Sequence, residues 1–241
     1  MSLDIPRLEG GRAHDVHGIR FGRIPPAVGT RWQVTVDAQS DTPDAQSAYL
    51  SSYTAETLAV DGAAITRVRV TFERNAERHD GLQWGTVVAG KTYGVDVSAP
   101  FVRDEAGDPA PEDEATRVLD VFPDLGTRTT IDQVLPDGPV AVGESRDELA
   151  AALLRVIHPR AWKLERGTAK VARFQDESAV FSIHLEATSR NGLRFRVDGE
   201  ARVRLRDTEL LSITAEGHYA HAPAEPSPEG GTFAYRRTIE R

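Results

Sequence analysis

The chain has 241 residues, no cysteine, 37 acidic against 29 basic side chains and a formal net charge of −8. The absence of thiols removes disulfide frameworks, thiolate zinc sites, iron–sulfur ligation and cysteine nucleophiles together, and leaves the redox compartment open. The acidic balance excludes nucleic acid as a bulk partner, because phosphate affinity rests on a basic surface that releases counterions.

No stretch approaches the roughly 18 consecutive apolar residues of a membrane helix. The start MSLDIPRLEGG lacks the basic and apolar regions of a leader peptide. A cytoplasmic location is expected if the chain is native as written, and a periplasmic or other extracytoplasmic one if a leader has been removed.

From there the pattern has mostly period two, the signal of strands. Trp32, Val34 and Val36 alternate with polar residues. Tyr53 to Val60 leads through Asp61-Gly62 into Ala64, Thr66, Val68, Val70 and Phe72, a hairpin with a DG turn. Gly90 precedes a strand carrying Tyr93, Val95 and Val97. A short helix is expected near Pro111, with Glu112, Asp113 and Glu114 in the first turn, where the dipole favours acids, and with Val118, Leu119 and Phe122 on its apolar side. A second is expected from Ser145, where Ser145 and Glu148 spell a capping box and Leu149, Leu153, Val156 and Ile157 form a stripe ended by His158-Pro159.

The remainder reads as a meander. Trp162 to Phe174 is one strand, and Ala179, Phe181, Ile183, Leu185 and Ala187 mark the next. Asn191-Gly192, a strong type I′ turn signal, opens the cleanest alternation in the chain, from Leu193 to Arg206. Asp207-Thr208 turns into a strand with Leu211, Ile213, Ala215 and Tyr219, and a last strand carries Phe233, Tyr235 and Ile239.

The expected fold is therefore mainly β: two related curved antiparallel sheets forming an open barrel or sandwich, with two short amphipathic helices. The expected division is an N-terminal β-rich half, 1–134, and a C-terminal half, 135–241, in which a helix precedes the meander, the two forming one continuous structural unit, as one curved sheet or a pair of packed sheets. A short echo supports a duplication, since IPPAVGT and LPDGPVAVGES both lead through proline to a Val-Gly turn, at Gly29 and Gly143.

The segments ETLAVDGAAITRVRVTF, AGKTYGVDV, DVFPDLG and VLPDGPVAVGE follow one another between Glu56 and Glu144. In that order they resemble a family of β-rich, often exported proteins of myxobacteria and their relatives. The resemblance implies a β-rich fold and export. It carries no catalytic residue, because the family has no assigned function.

Chemistry-bearing clusters are sparse. The pairs His14/His17, with Asp15, and His218/His221 have a three-residue step, but on a strand such residues point to opposite faces, and only a loop could bring them onto one metal. His184 and Glu186 share a polar strand face, and His79-Asp80 lies in a polar loop. Gly143-Glu144-Ser145-Arg146-Asp147 lacks the second glycine of a nucleophile elbow, and Ser145 reads as a cap. Asp104-Glu105 and Glu112-Asp113-Glu114 do not meet the calcium-loop spacing, and no phosphate-cradling glycine loop occurs. Arg194, Arg196, Arg202, Arg204 and Arg206 line one strand face, where pairing with carboxylates such as Glu186 and Glu216 is expected.

No residue is thus assigned as catalytic, cofactor-binding or metal-ligating, and no cofactor is expected. The functional expectation is a non-enzymatic binding protein of the cell envelope, holding a lipid or other apolar ligand, or a partner protein, on the apolar side of its strands. The outline resembles the half-open barrels of lipoprotein carriers, a likeness of fold only. The alternatives are a metal-dependent hydrolase using the histidine pairs and a structural or assembly module.

Overall fold

The computed structural model describes residues 18–42, 45–98, 101–158, 162–190, 192–221, 226 and 230–241. Among these, eleven strands form one open antiparallel sheet, accompanied by three short helices. The first wing contains β1 (Arg31–Thr42), β2 (Ala45–Asp61), β3 (Ala64–His79), β4 (Leu82–Gly85), β5 (Thr92–Asp96) and β6 (Val102–Asp104). After α1 (Glu112–Asp120), α2 (Thr130–Val134) and α3 (Asp147–Ile157), the second wing is the meander β7 (Trp162–Gln175), β8 (Ser178–Ser189), β9 (Leu193–Arg204), β10 (Leu210–His221) and β11 (Thr232–Glu240).

The strand order is β6-β5-β3-β2-β1-β11-β10-β9-β8-β7, with β4 pairing the end of β3. The two halves are thus wings of one continuous open sheet, the first of the two expected arrangements, joined where β1 pairs β11 from Gln33–Glu240 to Asp41–Thr232. The alternation that marks each strand explains why both wings bury the same face. Strands of 12 to 17 residues cannot stay flat. Register shifts at Ser52/Tyr53, Leu164/Arg166 and Leu210/Ser212 bend them. Gly217 allows a close approach of β9 and β10, since any Cβ there would collide with the backbone carbonyl of Arg196.

Each wing has its own cover on the apolar face. α1 lies over the first, where Val118 is fully buried among Val34, Tyr53, Val70, Phe72 and Tyr93. Its Glu114 accepts hydrogen bonds from Lys91 (2.6 Å) and from the Tyr93 hydroxyl, which fixes the acidic first turn onto β5. These donors, Lys91 first, hold the Glu114 carboxyl below its ordinary range despite burial. α3 lies over the second wing with Leu149, Leu153 and Ile157 inward, together with Phe21, which stacks on Phe181 at 6.4 Å.

Two local expectations change. The capping box at Ser145 does not form: α3 begins at Asp147 with Arg146 as its N-cap and no side-chain cap. The chain ahead of it runs along β7 instead, with Ser145 bridged to Lys170 and the Arg146 N–H donated to Ala169, so the Ser145 hydroxyl donates to Asp147. Tertiary strand pairing has outweighed a local cap. The sequence also gives no separate reading of α2. That turn is capped by Thr129, whose hydroxyl accepts from the Asp132 N–H, and its Asp132 is anchored by Arg23, Arg128 and Thr208. Burial pushes the Asp132 carboxyl up, but these three donors outweigh it and hold it below the usual range. Thr129→Ala is expected to destabilise the fold by about 1 kcal/mol, read as a lower urea midpoint at unchanged slope.

Candidate binding site

The apolar face is interrupted where the wings meet. Two hydrophobic clusters, one under α1 and one under α2 and α3, are flanked in common by Val36 of β1. Strand register places three rows of inward side chains across this seam. The first is Ala215, Tyr235, Ala38, Tyr49 and Glu77; the second is Ile213, Arg237, Val36, Ser51 and Asn75; the third is Ile239, Val34, Tyr53 and Phe72. Trp32, Val36, Ala38, Tyr49 and Ile239 along this strip are only partly buried, whereas Leu153 and Val70 beneath the covers are at 0 % exposure.

Arg237 is the unusual member. It alternates with Phe233, Tyr235 and Ile239 and therefore points to the apolar side, where its Nε is enclosed without a hydrogen-bond partner. Arg23 meets Asp132, Arg146 meets Glu144 and Arg204 meets Asp207 and Glu209, but among the described residues Arg237 meets no carboxylate. The acid within these rows, Glu77, lies three strands away, about 14 Å at ordinary strand spacing, and is held by Arg117 of α1.

What surrounds Arg237 is phenolic. Tyr235 and Tyr53 are its neighbours, and the Tyr235 hydroxyl donates to the Val156 carbonyl at 3.2 Å, at the end of α3. On the other side, Asn75 donates to the Tyr49 hydroxyl (2.9 Å) and to Ser51 (3.0 Å), and itself accepts from Thr86. Tyr53 packs on Phe122, just beyond α1, with centroids 6.2 Å apart. Burial disfavours the charge on Arg237, and the neighbouring Tyr53 and Tyr235 offset this, so its pKa is raised overall. Burial pushes Tyr235 up to about 12, and it raises Tyr53 as well, with Arg237 opposing both. The phenols are therefore neutral at ordinary pH, so the offset, which needs their ionised forms, is absent there and the guanidinium is not neutralised by them. The arrangement offers a fixed positive charge on an apolar surface, which can hold an anion.

The residues singled out from sequence lie elsewhere. His14, Asp15 and His17 fall outside the described residues. His218 and His221 sit on opposite faces of β10, and among the described residues no group of three or more histidines and acids is placed to hold a metal. His218 lines an open groove of about 490 Å³ on the polar face, beside Asp41, Arg78, Arg196, Asp198 and Glu216. His184 Nδ1 lies 2.8 Å from Asp198, and Glu186 accepts from Arg196 at 2.9 Å. Burial raises the Glu186 pKa, and Arg196 and His184 more than reverse that.

Most of the arginine stripe is likewise paired: Arg202 with Asp176, Arg204 with Asp207 and Glu209, and Arg206 with Asp207. The expected partner Glu216 makes no such pair among the described residues. Asp104 closes a turn by accepting from the Asp108 N–H, and the His79 ring packs at a tilt on Trp84 with centroids 5.5 Å apart. Arg237 escaped the sequence reading although the signal was present, since the alternation through Phe233, Tyr235 and Ile239 assigns position 237 to the core face.

No protein-family model matches the chain, and no curated protein is significantly similar to it. A solved structure of lipovitellin, described for its lipid–protein interactions, is similar with a TM-score of 0.41 and 8% identity over 87% of this chain. The match covers 24% of the lipovitellin chain, so the present chain spans about a quarter of its length.

Proposed function

We propose that the chain is a non-enzymatic binding protein that holds an apolar-tailed ligand along the seam of its sheet. The observation behind this reading is the strip itself: an apolar face covered by helices on both wings but only partly buried between them, at Trp32, Val36, Ala38, Tyr49 and Ile239. Ala38, Ser51 and Ala215 keep side chains small around the larger ones there. An acyl chain laid on the strip would gain about 0.8 kcal/mol per buried methylene, so roughly ten methylenes offset the cost of association.

Native mass spectrometry of protein purified from its own source tests the reading. The expected result is an added mass of lipid size that is released on denaturation, with occupancy reduced in Ala38→Phe, which fills the strip. Protein carrying no added mass, and with unchanged behaviour in Ala38→Phe, would overturn it.

A further inference from the structure

Resting on that reading, we infer that the ligand is an anionic amphiphile, an acyl chain ending in a carboxylate or phosphate, and that Arg237 receives its acid group.

Three observations converge. First, Arg237 is on the apolar face, with an enclosed Nε that has no partner and no carboxylate to pair it among the described residues. A guanidinium presents five donors in a rigid fork suited to a two-oxygen acid, and enclosing even one of them without a partner, as at this Nε, is costly. Second, the other described arginines with a comparably enclosed Nε or guanidinium, Arg23, Arg146 and Arg204, are matched to Asp132, Glu144 and Asp207. Among the described residues, counter-ions are supplied to these three and none to Arg237. Third, the guanidinium stands between the two helical covers. Its neighbour Tyr235 is tied to the end of α3, and its neighbour Tyr53 borders Phe122 next to α1. Apolar side chains continue from it along the strip in both directions, with Ala38 and Phe233 on one side and Val34 and Ile239 on the other.

The pairing adds specificity beyond the tail. A neutral chain of equal length gains the same apolar contact and leaves the guanidinium unmatched, whereas an acid gains a charge-assisted hydrogen bond in a place where water competes poorly. A free anion gains the charge and lacks the tail.

Titration calorimetry of the full chain with dodecanoate, dodecyl phosphate, dodecanol and inorganic phosphate separates these contributions. Dodecanoate, dodecyl phosphate or both are expected to bind at least tenfold more tightly than dodecanol, the stronger of the two naming the acid, with no measurable binding of inorganic phosphate. Arg237→Met is expected to bring the acids to the dodecanol level while leaving dodecanol unchanged, and Arg237→Lys to keep part of the preference. Equal affinity for acids and alcohol in the unaltered protein would overturn the anion inference and leave the apolar site standing. If none of the three chains binds, the site and the inference both fall. Inorganic phosphate binding as tightly as dodecyl phosphate would show a free-anion site and overturn the amphiphile. The comparison in unaltered protein decides the matter even if Arg237→Met folds poorly.

Discussion

Arg237→Met is expected to make the unliganded protein more stable, by about 1–3 kcal/mol, corresponding to a Tm several degrees higher at this chain length. The sign follows from the surroundings. The Arg237 Nε is enclosed and unpartnered, no carboxylate pairs the guanidinium among the described residues, and the adjacent tyrosines are kept neutral by burial. Methionine keeps the length and flexibility of the side chain and replaces a half-buried guanidinium, whose Nε is enclosed and unpartnered, by an apolar thioether on an apolar face. A residue that reduces stability and is retained because it binds something shows this signature. Thermal melts of the two proteins without ligand measure it. A Tm several degrees lower in Arg237→Met would instead make Arg237 a structural element that holds Tyr235 and the end of α3 in place.

The second large effect concerns acid. His158 caps the C-terminal end of α3 and lies among aromatic rings, 5.0 Å from Trp162, 5.2 Å from Phe195 and 5.1 Å from Phe233. Its Nε2 is enclosed and has no hydrogen-bond partner. Burial alone lowers its pKa from 6.5 to about 4. The unfolded chain therefore binds a proton between those values that the folded protein refuses, so stability rises with pH across that window. The contribution is fully present above about pH 6.5 and is lost as pH falls towards 4, by at most about 3 kcal/mol, since the residue is not wholly sealed from water.

His158→Phe keeps a ring among rings and removes the titration. Urea melts at pH 7, 5.5 and 4.5 are expected to show the unaltered protein losing stability relative to His158→Phe as pH falls. Parallel losses in the two proteins would show that His158 does not titrate in this way. Carboxylates tied to arginines, such as Asp132 and Asp207, have lowered pKa values and contribute below this range, so they leave the comparison unaffected.

Much of this molecule is local and therefore legible. Alternation from Leu193 to Arg206 names the faces of β9. The DG turn at Gly62, with φ +57°, and the Val-Gly turns at Gly29 and Gly143, with φ +81° and +91°, sit where glycine is needed for left-handed backbone. The acidic first turn of α1 and the stripe of α3 mark their inward sides. These features depend on neighbours a few residues away, so a linear reading reaches them.

The site depends on contacts of another kind. Periodicity says which way Arg237 points but not which strand lies beside it, and the seam exists because β11 pairs β1, bringing Arg237 beside Val36 and, one strand on, Ser51 across some two hundred residues of chain. Nothing local encodes that pairing, because any two amphipathic strands can form the same ladder. The choice comes from burying both apolar faces in one sheet under separate helices. The same long-range packing overrode the capping box at Ser145, and it enclosed His158 at the end of a helix whose sequence shows only where it stops. The strands and their faces were thus determined by the sequence itself, whereas the absence of a counter-ion beside Arg237 among the described residues was decided by tertiary structure, since a charge becomes unpaired only once its neighbours are known.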